Sequence, residues 1–141
     1  MSREIKFRGK SIMNNTCGDW LYSSGIKYGD DVELMYCDED TSEEWNYIDK
    51  ETVGQYTGLD DKNGKEIYEG DIVLLDCYYY EEPAFDGEFK VIYDDINGMW
   101  LLVDLENKDR GFAFGEIRSY YKAEIEVIGN IYDNPELLGG E

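Results

Sequence analysis

The sequence predicts a mainly β fold: a compact, partly closed SH3-like β-barrel with additional short strands and a short C-terminal helix. Three observations carry that expectation. Of 141 residues, 13 are Tyr, 3 are Trp and 5 are Phe, the aromatic types that suit a pleated, half-buried surface. Apolar and polar residues alternate in short segments of four to seven residues, at the strand period. Asn-Gly dipeptides at 63–64 and 97–98 are strong hairpin signals, because a two-residue type I′ turn needs positive φ at both positions. Short strands at close spacing suit a small barrel, an analogy of fold that carries no function. The length suits one domain over residues 1–141, able to bury a core without metal or disulfide.

Each element follows in order. Ile5 and Phe7 alternate with Glu4, Lys6 and Arg8, which predicts a first strand that Gly9-Lys10 ends. Residues 20–22, 26–28 and 32–37 read as short strands, with Val32, Leu34 and Tyr36 alternating against Glu33 and Met35. Residues 48–54 suit a single turn. Residues 55–57 are strand-like, 61–65 form a polar turn, and the apolar run 72–75 suits a strand covered on both faces. Residues 77–87 interrupt the strands. Residues 88–93 and 99–103 form a hairpin in which Trp100 is a core or rim residue. Phe112 and Phe114 share a face, as do Ala123, Ile125 and Val127, with a bulge or bend at Gly129. Asn134-Pro135-Glu136 is a helix-start signal.

Composition excludes several chemistries. The chain holds no His, which removes the commonest general base near neutral pH and the commonest zinc ligand and rules out Ser-His-Asp machinery within one chain. Cys17, Cys37 and Cys77 have no Cys-x-x-Cys spacing, so neither a disulfide framework nor a zinc knuckle is expected, and no cofactor is predicted. An EF-hand loop with its glycine at Gly64 would need ligands at Leu59 and Gly70, and both fail. No apolar run is long enough for a membrane span, and the first residues lack the apolar middle of a signal peptide. The formal net charge is −20, from 33 acidic and 13 basic residues, which opposes direct binding to nucleic acid or an anionic membrane and favours a basic partner. Only Arg3, Lys6, Arg8 and Lys10 make a basic cluster.

Two segments are candidate contact surfaces. Asp38, Glu39, Asp40, Glu43 and Glu44 form a carboxylate-rich loop, within a stretch from Tyr28 to Asp49 that holds no basic residue. Tyr78, Tyr79 and Tyr80 lie beside Glu81 and Glu82, and eight acidic residues fall between Glu66 and Glu88 with no basic residue among them. Such segments carry function when a rigid scaffold presents them. The plainer readings are a solvated loop at 38–44 and tyrosines partly packed at a strand end at 78–80.

Residues 52–73 read Thr-Val-Gly-Gln-Tyr-Thr-Gly-Leu-Asp-Asp-Lys-Asn-Gly-Lys-Glu-Ile-Tyr-Glu-Gly-Asp-Ile-Val. Residues 127–138 read Val-Ile-Gly-Asn-Ile-Tyr-Asp-Asn-Pro-Glu-Leu-Leu, and residues 3–10 read Arg-Glu-Ile-Lys-Phe-Arg-Gly-Lys. These stretches resemble the YopX family of bacteriophage and prophage proteins, with Gly9 where a tryptophan often follows the arginine. The resemblance implies a mainly β chain that forms homo-oligomers in the host bacterial cytoplasm, and it supplies no catalytic residue. Residues 11–50 and 76–90 follow no recognisable family pattern.

Three functional readings remain open at this point. The first is a non-catalytic phage interaction protein that meets a basic host or phage protein through its acidic and aromatic loops. The second is an acidic nucleic-acid mimic that inhibits a DNA-binding or defence protein of the host. The third is a divalent-metal binder or enzyme built on clustered carboxylates, since hard cations take oxygen ligands.

Overall fold

The computed structural model describes residues 4–14, 16–37, 43–115 and 122–138, with the backbone alone at 36, 37, 43, 85 and 122. The chain is mainly β and divides into two compact units, Met1–Gly58 and Leu59–Glu141. Strand β6 runs from the first into the second.

The first unit holds β1 (Phe7–Lys10), β2 (Trp20–Ser23), β3 (Ile26–Tyr28), β4 (Val32–Cys37), β5 (Glu43–Ile48) and the start of β6 (Gly54–Asp60). β1 pairs antiparallel with β2 and β6, while β3, β4 and β5 form a separate meander. Leu21, Val32, Leu34 and Ile48 make the core, with Phe7, Ile26 and Val53 packed against them. The alternation expected at Val32 and Leu34 holds. The first strand differs. Gly9 lies inside it rather than ending it, because a Cβ there would run into the side chain of Ile48. Arg8, which alternates with Phe7, is itself buried, with its guanidinium 4.5 Å from the centre of the Trp20 ring. Stacking on an indole lets a cation leave water. Residues Lys50–Thr52 form the expected single turn, a 3₁₀ turn capped by Asp49, whose side chain accepts the Glu51 N–H at 3.1 Å.

The second unit contains β7 (Glu66–Tyr68), β8 (Asp71–Tyr79), β9 (Glu82–Asp94), β10 (Met99–Asp104), β11 (Gly111–Ala113) and β12 (Lys122–Asn130). Its curled five-stranded sheet has the order β11-β10-β9-β8-β12. Ile67, Val73, Leu75, Cys77, Phe89, Val91, Leu102, Phe114 and Ile125 form its core. Phe112, Trp100, Ala123 and Val127 pack on that cluster, as their positions predict. The register of β12 shifts between Val127 and Gly129, so the bulge sits where Gly129 signals it. The run 72–75 is covered on both faces only at Ile72 and Val73; Leu74 is exposed, because the strand alternates from there onward. The C-terminal helix shortens to one 3₁₀ turn, Pro135–Leu138.

The Asn63-Gly64 turn is not the predicted two-residue type. Only Gly64 has positive φ there, and Asp61 N–H donates to the Lys65 carbonyl across a three-residue loop. That arrangement is the next commonest hairpin connection. Its reason is Asp61. One carboxylate oxygen accepts the N–H groups of Asn63 at 2.8 Å and Lys65 at 2.9 Å, and the other accepts the N–H of Val127 at 2.9 Å. Lys62 N–H donates beside it to the carbonyl of Ile125 at 2.9 Å. Gly70 closes the next turn at φ 91, where a Cβ would come 3.0 Å from the Tyr132 ring. There Asp71 accepts the Tyr68 N–H at 2.8 Å.

Burial alone would raise the Asp61 pKa, but the N–H of Val127, those of Lys65 and Asn63, and the charge of Lys65 together hold it below the ordinary 3.8. A depressed folded pKa contributes stability above the unfolded value and loses it as pH falls through the folded one. Asp61→Asn is therefore expected to cost about 2 kcal/mol at neutral pH, since bonds to a charged acceptor are the stronger kind. Denaturant unfolding from pH 7 downward checks this: the gap between wild type and variant should narrow below pH 3.8.

Candidate functional site

The segment expected to interrupt the strands is instead a continuous hairpin. β8 and β9 pair from Ile72↔Lys90 to Tyr79↔Glu82, leaving Tyr80 and Glu81 as the whole connection. The register shifts between Cys77 and Tyr78, because Ala84 is an extra residue beside Pro83 on β9. A bulge suits that place, since proline has no N–H for the ladder.

Tyr80 and Glu81 have φ of 49° and 68°. Both angles are positive, as a type I′ hairpin turn requires. The two Asn-Gly dipeptides that advertise this turn do not make it. At 97–98 only Gly98 is at positive φ, in a four-residue loop whose Asp94 side chain accepts the N–H groups of Ile96 and Asn97. Among the described residues, Tyr80 and Glu81 are the two non-glycine positions in the left-handed region. An L side chain there costs on the order of 1 kcal/mol per residue, through its Cβ against the following carbonyl. Such strain persists where the surrounding ladder over-determines it.

The tip carries aromatic surface. Tyr80 is 86% exposed and Tyr79 51% exposed, and their rings meet edge to face with centroids 4.5 Å apart. Tyr79, Tyr80, Glu82, Pro83 and Ala84 line a shallow hollow of about 500 Å³. Glu81 and Glu82 are exposed beside the rings, whereas Tyr78 is half-buried. The tip thus joins Tyr79, Tyr80, Glu81 and Glu82. Pro83 and Ala84 were not among the expected site residues; the bulge that places them is a matter of register, which the residue types there do not announce.

The other candidate segment is only partly described. Asp38, Glu39 and Asp40 lie outside the described residues. Glu43 is placed by its backbone on β5, and Glu44 is exposed on the same strand. Among the described residues no group of three or more His, Cys, Asp or Glu side chains could hold a metal ion, and no helix is long and apolar enough to cross a membrane. Cys77, 2% exposed, has its thiol pushed up to about 11 by burial first and by the charge of Asp76 second. It stays protonated near neutral pH and is a poor nucleophile.

A family model described as "YopX protein" matches residues 6–139. The chain belongs to the YopX family. No curated protein matches it. Among solved structures it is similar to the crystal structure of protein EF1440 from Enterococcus faecalis, at 24% identity and a TM-score of 0.48, over 97% of this chain and 99% of that one. The YopX motif stretch at 52–73 supplies the Asp61 and Gly70 turns described above. The matched residues 6–139 include the hairpin tip.

Relieving the tip should stabilise this YopX chain. Tyr80→Asn combined with Glu81→Gly places turn-tolerant residues at both positive-φ positions and is expected to add about 1 kcal/mol. A thermal midpoint raised by a few degrees would show it; an unchanged or lowered midpoint would mean that the turn is not strained.

Proposed function

We propose that the chain is a phage-encoded, non-catalytic protein-interaction protein of the host cytoplasm whose contact surface is the β8–β9 hairpin tip. The observation that carries this reading is the pair of non-glycine residues held at positive φ at an exposed aromatic turn. A turn selected for stability alone would place Asn-Gly there. Tyrosines supply large, rigid contact area at low entropy cost, and strained backbone concentrates where it presents a functional group.

Several parts of this reading rest on the family resemblance: the phage origin, the cytoplasmic setting and the assembly into homo-oligomers. The reading also treats the curled sheet as a partly closed, SH3-like scaffold, supported by the short strands and by the loop bonds from residues 61–62 to β12. The net charge of −20 is shared with the DNA-mimic alternative. The tip favours protein contact, because a mimic needs spaced carboxylates rather than protruding tyrosines. The carboxylate-metal alternative rests on residues 38–44 alone and gains no support from the described side chains.

The test is affinity capture from host lysate with wild type and with Tyr79→Ser/Tyr80→Ser, both shown to be folded by circular dichroism. At least one protein should be captured by wild type and depleted more than roughly tenfold with the variant, the range expected when anchoring aromatics are truncated. An identical captured set would sink the tip as the contact surface.

A further inference from the structure

We propose that Tyr80, with the carboxylates of Glu81 and Glu82, receives an arginine side chain carried on a basic segment of a partner protein. This deepens the interaction reading and rests on it.

The chain itself shows how its aromatic rings are used. Lys27 lies 4.2 Å from the centre of the Trp45 ring, Lys50 5.2 Å from Tyr28, and Arg8 4.5 Å from Trp20. Arg110 adds the second half of the pattern. Its guanidinium lies 5.5 Å from the Phe112 ring centre, while one of its nitrogens is 3.4 Å from a carboxylate oxygen of Asp104. A planar cation can meet a π face and a carboxylate together, because its donors lie in the ring-like plane and its faces are weakly hydrated.

The hairpin tip places the same two kinds of group side by side along the chain and across the turn, and the basic residue nearest by strand pairing is Lys122, opposite Tyr78 on β12. Tyr80 precedes Glu81 directly, and Glu82 pairs with Tyr79 across the turn. Glu81 and Glu82 are both exposed at the tip, and the chain as a whole carries a net charge of −20. The excess negative charge there is matched by a positive partner, and charge complementarity speeds and orients encounter. Pro83 and Ala84 add an apolar wall to the hollow, which suits the methylene stem of a long basic side chain whose charged end stays at the wet rim.

Arginine fits better than lysine. A guanidinium can stack on a phenol and donate a fork of bonds to a carboxylate, whereas an ammonium is a strongly hydrated point charge. A metal ion fits less well, since two neighbouring glutamates leave most of a hard cation's oxygen ligands unsupplied.

Fluorescence polarisation of a labelled peptide with alternating Gly and Arg tests this on the full-length chain, beside a lysine version and a version with neutral citrulline. The arginine peptide should bind, the lysine peptide several-fold more weakly, and the citrulline peptide not measurably. Tyr80→Leu should weaken arginine-peptide binding by roughly three- to fivefold, the scale of an exposed cation–π contact. Tyr80→Phe, which keeps the ring, should stay within about twofold. Glu81→Gln/Glu82→Gln should weaken binding and flatten its salt dependence. Equal affinity for citrulline, equal or tighter binding of lysine, or wild-type binding by Tyr80→Leu would each overturn the assignment. Should the tip capture a protein from lysate while the arginine peptide is ignored, the interaction reading stands and this one falls.

Discussion

The carboxylate of Asp61 is the constraint on which the second unit's organisation depends. It is buried, and it accepts three backbone N–H groups from two places far apart in the chain: its own loop and Val127 of β12. β12 is the last strand of its sheet, and a terminal strand presents unpaired backbone groups that invite pairing with other chains. Asp61 and the neighbouring Lys62 N–H engage two of those groups, on Val127 and Ile125. A carboxylate does here what a further strand would do. It must be ionised to accept all three donors well, so loop shape, edge protection and proton affinity are one property.

That anchoring bears on the hairpin. β8 pairs with β12 along most of its length, from Asp71↔Asn130 to Tyr78↔Lys122, and with β9 on its other side. Held from both sides, β8 brings Tyr79 to the turn with its direction set. The two residues that follow must then reverse the chain at once, whatever their own preference. The left-handed angles at Tyr80 and Glu81 are imposed by the ladder, and the local cost is met by the core beneath, where Val73, Leu75 and Phe89 are fully buried. Burying side chains of that size is worth roughly 1.5–3 kcal/mol each, against on the order of 1 kcal/mol for each strained turn residue. The scaffold can therefore hold an aromatic tip that local propensity would reject.

Much of the fold was legible because it follows from side-chain period. Val32 and Leu34, Phe112 and Phe114, and Ala123, Ile125 and Val127 point inward as alternation demands. The bulge at Gly129 was legible for a related reason, since a glycine inside a strand pattern marks irregular pairing. One turn was misread, where a side chain overrode the dipeptide. At 63–64 the preceding Asp61 accepts loop N–H groups and selects a longer loop than Asn-Gly alone implies; at 97–98 the connection falls within the predicted residues 94–98, with Asp94 accepting the N–H groups of Ile96 and Asn97. Residues 77–87 were misread in the opposite sense: three tyrosines, two glutamates and a proline look like a break, yet the ladder continues through them. The burial of Arg8 was not legible, because alternation says which face a residue takes but not that an indole waits there.

The same contrast separates architecture from function in this chain. Residues 52–73, which carry the strongest resemblance in the sequence, are occupied by structural tasks: Asp61 and Asp71 accept backbone N–H groups, Gly64 and Gly70 take positive φ, and Ile67, Ile72 and Val73 are buried. These groups are engaged in holding the scaffold together. The tip lies outside residues 52–73 and holds two non-glycine residues at positive φ. Residues that agree with every local rule are explained by folding; residues that break one need another reason. Tyr80 and Glu81 break the backbone rule and expose a large aromatic ring in the same place, and the contact role proposed for the tip would account for both departures.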